Sequence, residues 1–135
     1  MSKGDCAYAN LVLLDESMLV YEYCCYQIKE DWKEKEKVVD GELYIDPTAI
    51  VEPEIHEKIK KYPTGRKKLI TKRILNHDFD IDSLFEEKRI VVKNASGEWT
   101  FHGNGLGHAA YHLLWKLFVE YQETGEIPLK LYWFI

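Results

Sequence analysis

Apolar residues recur along this chain with two different periods, and the switches between them mark its elements. Residues 8–14, "YANLVLL", and 18–28, "MLVYEYCCYQI", are rich in β-branched and aromatic side chains. They are too poor in periodic polar positions for a surface helix. With "DES" as a turn between them, they predict an antiparallel hairpin. Tyr21 and Tyr23 alternate with Glu22, so both tyrosines share one strand face, expected to pack on a helix.

"KEDWKEKEK", 29–37, alternates in sign and suits a solvated hairpin end or a short helical excursion. In "VVDGELYI" the pair Asp40-Gly41 predicts a turn or bulge between apolar pairs. Asp46-Pro47 predicts a helix cap followed by proline at the first helical position. Pro53 is expected to open a helix over "PEIHEKIKK", with Ile55 and Ile59 four apart on one face. Tyr62-Pro63-Thr64-Gly65 reads as a turn and "KLITKRIL" as a strand.

The acidic "NHDFDIDSLFEE" leads into a short helix, whose unpaired N–H groups favour carboxylates. "RIVVKN", "ASG" and "EWTF" predict a second hairpin. A long helix is expected over about 105–123, stopped by Gly125 and Pro128, and "LKLYWFI" closes the chain as an apolar strand.

The order of strands, small helices, strands, large helix and strand predicts an α+β fold. Its mainly antiparallel sheet packs against the one long helix, with smaller helices beside it. The 135 residues suit a single globular domain, 1–135, with one core, and no internal repeat divides them. A hydrophobic content of 46% excludes a disordered composition. No apolar run is long enough for a membrane-spanning helix, and the polar start "MSKGDCAYAN" lacks the apolar core of a secretory signal. The expectation is a cytoplasmic chain with no membrane partner. Three cysteines fit a reducing compartment. Cys24 and Cys25 fall on opposite faces of one strand and are read as ordinary buried thiols.

Charge changes this picture. Residues 58–73, "KIKKYPTGRKKLITKR", hold eight Lys or Arg and no acid, while the rest holds ten basic against twenty-three acidic residues, a balance of -13. The basic segment, with Lys61, Arg66, Lys67, Lys68, Lys72 and Arg73 as candidate contacts, could bind an acidic protein or a phosphate. The plain reading is a solvated face whose lysines guard a strand edge.

Two other stretches carry candidate chemistry. Asp78, Asp80 and Asp82 match the start of a calcium loop, but Ser83 and Arg89 stand where its glycine and bidentate glutamate belong. Residues 102–112, "HGNGLGHAAYH", space their glycines by two and match neither the dinucleotide fingerprint nor the P-loop. An anion at the following helix N-terminus remains physically open. His108 and His112 are one helical turn apart, a spacing that suits zinc, with His102 as a third ligand from the loop. His56, His77, Glu120 or a cysteine could join from elsewhere. A helical wheel sets His112 beside a polar stripe and buries Leu106, Ala110, Leu113, Leu114, Leu117, Phe118 and Tyr121 on the other side.

With no nucleophile elbow and no complete motif, the chain is read as a non-catalytic protein that binds another macromolecule. The partner expected is a protein, a second copy of the chain included, since the apolar terminal strand could extend a sheet across a dimer. The acidic body fits masking a basic partner, as toxin-neutralising immunity proteins do; that likeness is one of charge and size alone. The alternatives are a metal-dependent hydrolase using His102, His108 and His112, with zinc as its cofactor, and phosphate or nucleic-acid recognition through 58–73, which ranks behind a protein partner.

Overall fold

The computed structural model describes residues 4–28 and 38–134. Five strands form one antiparallel sheet: β1 (Gly4–Leu14), β2 (Leu19–Ile28), β3 (Gly41–Ile45), β6 (Ile90–Lys93) and β7 (Lys130–Phe134), in the order β6-β3-β2-β1-β7. The β1–β2 hairpin expected around "DES" is present, and the Asp15 carboxylate closes its turn by accepting from the N–H groups of Ser17 and Met18. A register shift between Leu11 and Leu13 bends β1. The terminal strand β7 returns to pair with β1, with Tyr8 opposite Tyr132.

One long helix, α2 (His108–Thr124), covers one face of this sheet. It buries Ala110, Leu113, Leu114, Leu117 and Phe118, which the wheel assigns to the core, together with Ala109, while Tyr121 is half-buried. Ala7 and Ala9 on β1 are small, and they let the helix approach the sheet. Tyr21 and Tyr23 are wholly buried beneath it, and each hydroxyl is satisfied: Tyr21 donates to the carbonyl of Pro128 and Tyr23 to Glu98. The helix ends at Gly125, whose φ of 77° is the left-handed conformation that glycine adopts at little cost. The short α1 (Ile81–Glu86) packs beside β6 and α2 and is capped by Asp80, as the acidic lead implies. Asp46 caps a single 3-10 turn at Pro47–Ala49.

Three expectations are corrected. Residues 54–61 form a strand, β4 (Glu54–Lys61), rather than a helix, and pair with β5 (Lys67–Ile74) as a separate two-stranded ribbon. A spacing of four is common to both periods, so Ile55 and Ile59 share a strand face as readily as a helical one. "RIVVKN" pairs with β3 instead of "EWTF", from which Phe101 alone bridges, to Gly107. Asp40-Gly41 makes no hairpin turn: β3 begins at Gly41, where a Cβ would run into the Tyr23 ring. The long helix expected over about 105–123 is present and spans His108–Thr124. The segment 29–37 lies outside the described residues. Among those described, no helix is long and apolar enough to cross a membrane.

Both strands of the β4–β5 ribbon are exposed along their whole length, so it is an arm rather than part of the core. Its two roots are held by consecutive residues of α2. The Tyr121 hydroxyl donates to Glu52 at 2.6 Å, just before β4. The Gln122 amide, 1% exposed, accepts from the N–H of Asn76 and donates to its carbonyl, just after β5.

Candidate functional site

The stretch 102–112 is an ordered hairpin leading into a helix. The N–H of Gly105 donates to the carbonyl of His102, and the N–H of His102 donates to the carbonyl of Leu106. Gly105 has a φ of 91°, which completes a type I turn with a glycine bulge. The arm turns in the same way, with Tyr62 bonded to Gly65 and Arg66 and with Gly65 at φ 86°. So Gly105 serves turn geometry and Gly107 close packing, whereas a side chain at Gly103 would meet open space. The turn sets His102 opposite the first turn of α2.

The helix mouth already has its anion. Glu98 reaches from the preceding loop and accepts from the N–H of Ala109 at 3.0 Å and of Ala110 at 3.2 Å. The N–H of Gly107 donates to Asn94 Oδ1 and that of His108 to the carbonyl of Thr100. The amides of 107–110 are thus satisfied within the chain, and the carboxylate sits at the positive helix end. This corrects the expectation that an external anion could bind there.

Three of the five histidines meet beside this mouth. Asp82, in the first turn of α1, lies 2.9 Å from His102 Nδ1 and also accepts from Asn104 Nδ2 at 3.0 Å. His102 Nε2 faces His108 Nδ1 at 3.5 Å. His108 Nε2 faces His112 Nε2 at 3.1 Å. The His112 ring stacks on Trp133 of β7, with centroids 4.6 Å apart and planes 4° from parallel. Burial lowers the pKa of His112 below the usual imidazole value, and the neighbouring His108 and His102 push in the same direction.

The spacing of His108 and His112 therefore brings their rings together, and His102 joins them. The three form a chain, because His108 turns one nitrogen to each neighbour. Among the described residues no group of three His, Cys, Asp or Glu surrounds a single point as a metal shell. His56 lies on the arm, bonded to Glu54, and His77 stacks on Trp115. Cys6 and Cys24 are buried and Cys25 is half-buried, with no disulfide among the described residues, and burial pushes the Cys25 thiol well up. Two of the three aspartates of the calcium-like run have separate tasks, with Asp80 capping α1 and Asp82 holding His102 and Asn104. Sequence reasoning missed Glu98, Asn104 and Trp133, whose roles depend on pairings distant in the chain.

The basic segment is the second candidate. In the register of the arm, Lys60 faces Lys68 and Lys61 faces Lys67 across the strands. Those four lysines and Arg66 surround the turn, and alternation places Lys60 and Lys68 on one face and Lys61 and Lys67 on the other. Lys72 lies on the face of Lys68, beside His56. Arg73 belongs to the root: its guanidinium lies against Gly125 at the C-terminal end of α2, where the helix dipole favours a cation. Ile55, Ile59 and Leu69 are each more than half exposed on the arm.

Comparison with known proteins finds no matching family model, no matching curated protein and no matching solved structure.

Proposed function

We propose that this protein acts by binding another macromolecule, that the arm is its binding element, and that the ligand is the phosphate backbone of a nucleic acid. The observation that carries the reading is the register of two lysine pairs across the strands, Lys60 opposite Lys68 and Lys61 opposite Lys67. Like charges directly opposite each other destabilise a ribbon. A two-stranded ribbon without a core is itself marginal in water. An arm built with both handicaps gains order from a partner that neutralises its tip, and closely spaced phosphates do so. The dimensions agree. An eight-residue strand is about 26 Å long, and the major groove of B-DNA, about 12 Å wide, admits a two-stranded ribbon. The exposed Ile55, Ile59 and Leu69 would add apolar contact with sugars and base edges.

The test is titration of the full chain against a fluorescent 20-base-pair duplex over a salt series starting near 50 mM, where phosphate contacts are strong. Binding should weaken steeply with salt, and Arg66→Ala or Lys67→Ala should each lower the salt slope by about one. No binding of DNA or RNA at low salt would overturn the reading. Retention of polyglutamate in its place would assign the arm to an acidic protein. A basic protein partner, the reading suggested by the acidic body, would be held just as tightly by the arm variants as by the parent chain.

A further inference from the structure

We propose that His108 and His112 form a binding site for a divalent first-row transition ion, with His102 and Asp82 as the outer shell that orders it. The inference is independent of the arm. Ionised carboxylates only accept, so Asp82 fixes the proton of neutral His102 on Nδ1. His102 Nε2 is then an acceptor, and His108 meets it with Nδ1–H. His108 is left with an unprotonated Nε2, the form an ion takes. That lone pair faces His112 Nε2 at 3.1 Å. Two imidazole nitrogens on one ion, each at about 2.0–2.1 Å, lie about 3.0–3.4 Å apart. The separation therefore needs little change on loading. In the ion-free chain His112 donates its Nε2–H to the His108 lone pair. Loading moves the His112 proton to Nδ1 by exchange with water and frees Nε2 for the ion, with the ring still neutral.

Two surroundings support the site. Stacking on Trp133 holds the His112 ring in place. Tyr111 packs edge-on against His112 and at a tilt against His102. Burial raises the pKa of the Glu120 carboxyl, and the charge of Lys116, one turn further along the helix, acts on it in the opposite direction. Two protein ligands leave coordination positions for water or a substrate, as in open rather than structural sites. Imidazole donors suit zinc, nickel and copper, and Cu2+ should bind most tightly.

The experiment uses the full chain without an affinity tag, titrated with CuCl2 and ZnCl2. Cu2+ should quench Trp133 fluorescence saturably at one ion per chain, and Trp133→Phe should remove that signal. In proton NMR the ring resonances of His108 and His112 should broaden first. His108→Ala and His112→Ala should abolish binding, and His112→Gln, closer in size, guards against a folding defect. His102→Ala and Asp82→Asn should weaken binding 10- to 100-fold, while His56→Ala and His77→Ala leave it unchanged. No saturable response in the parent chain, or an undiminished affinity in His112→Gln with its circular dichroism intact, would overturn the proposal.

Discussion

Glu98 occupies the space that a side chain at Gly107 would need: a Cβ built there runs into the Glu98 carboxylate. The close approach lets one acid cap two amides of α2 while accepting from the Tyr23 hydroxyl. Glu98→Ala should cost about 1–3 kcal/mol, through the lost cap and a buried Tyr23 hydroxyl that still accepts from the Ala95 N–H but loses its own acceptor. Gly107→Ala should be costly in the parent chain and much less so beside Glu98→Ala, a coupling of about 0.5–3 kcal/mol. Some cost should remain, because Asn94 Oδ1 lies 2.7 Å from the same position. Urea unfolding of the four proteins in this cycle measures it. Additive effects would show that the two residues do not compete for the space.

Acid should weaken the cap of α1. The N–H and hydroxyl of Ser83 hold the Asp80 carboxyl below its ordinary value in the folded chain. Its contribution is therefore complete above the unfolded value, about pH 4, and is lost as pH falls through the lower folded value. Asp80→Ala should be less stable than the parent at pH 7, and the gap should close by pH 2. Urea midpoints across that range give the answer, and a constant gap would contradict it.

Gln122 is a buried polar side chain whose two bonds both go to Asn76. Gln122→Leu keeps most of the volume and removes both partners, which should cost about 1–3 kcal/mol for the stranded backbone groups. Hydrogen exchange should quicken at Asn76 and along β5 and stay slow in β1 and β2. Equal acceleration throughout the chain would show that the glutamine is not a local anchor.

Lys68→Glu turns one like-charge pair of the arm into an opposite-charge pair. The change should stabilise the free ribbon by about 0.2–1 kcal/mol, seen as slower amide exchange across 58–70. It should at the same time weaken duplex binding. An arm that becomes better ordered and also binds better would be incompatible with a phosphate ligand.

What could be read from the chain alone depended on how local the cause is. The α2 stripe of Leu113, Leu114, Leu117 and Phe118 was legible because seventeen residues repeat one period. The meeting of His108 with His112 follows from that period as well. The arm was half legible. Its turn and β5 carry local signals, whereas Ile55 and Ile59 fit either period, and no core contact decides between them. The arrangement of the site was not legible, because Asp82, Glu98 and Trp133 arrive from three other elements. The position of Trp133 is set by the β1–β7 register.

The attachment of the arm at Glu52 and Asn76, by neighbouring residues of one rigid helix, acts as an axle. With Arg73 seated against Gly125 as a third contact, the ribbon is limited at most to rocking about the line between the two points, and the ladder between its strands resists shear. An element with one rotational freedom surrenders less orientational entropy on docking than one on a loose tether. It can still follow a curved or bent partner, so the pivot at the end of α2 sets how far the tip reaches.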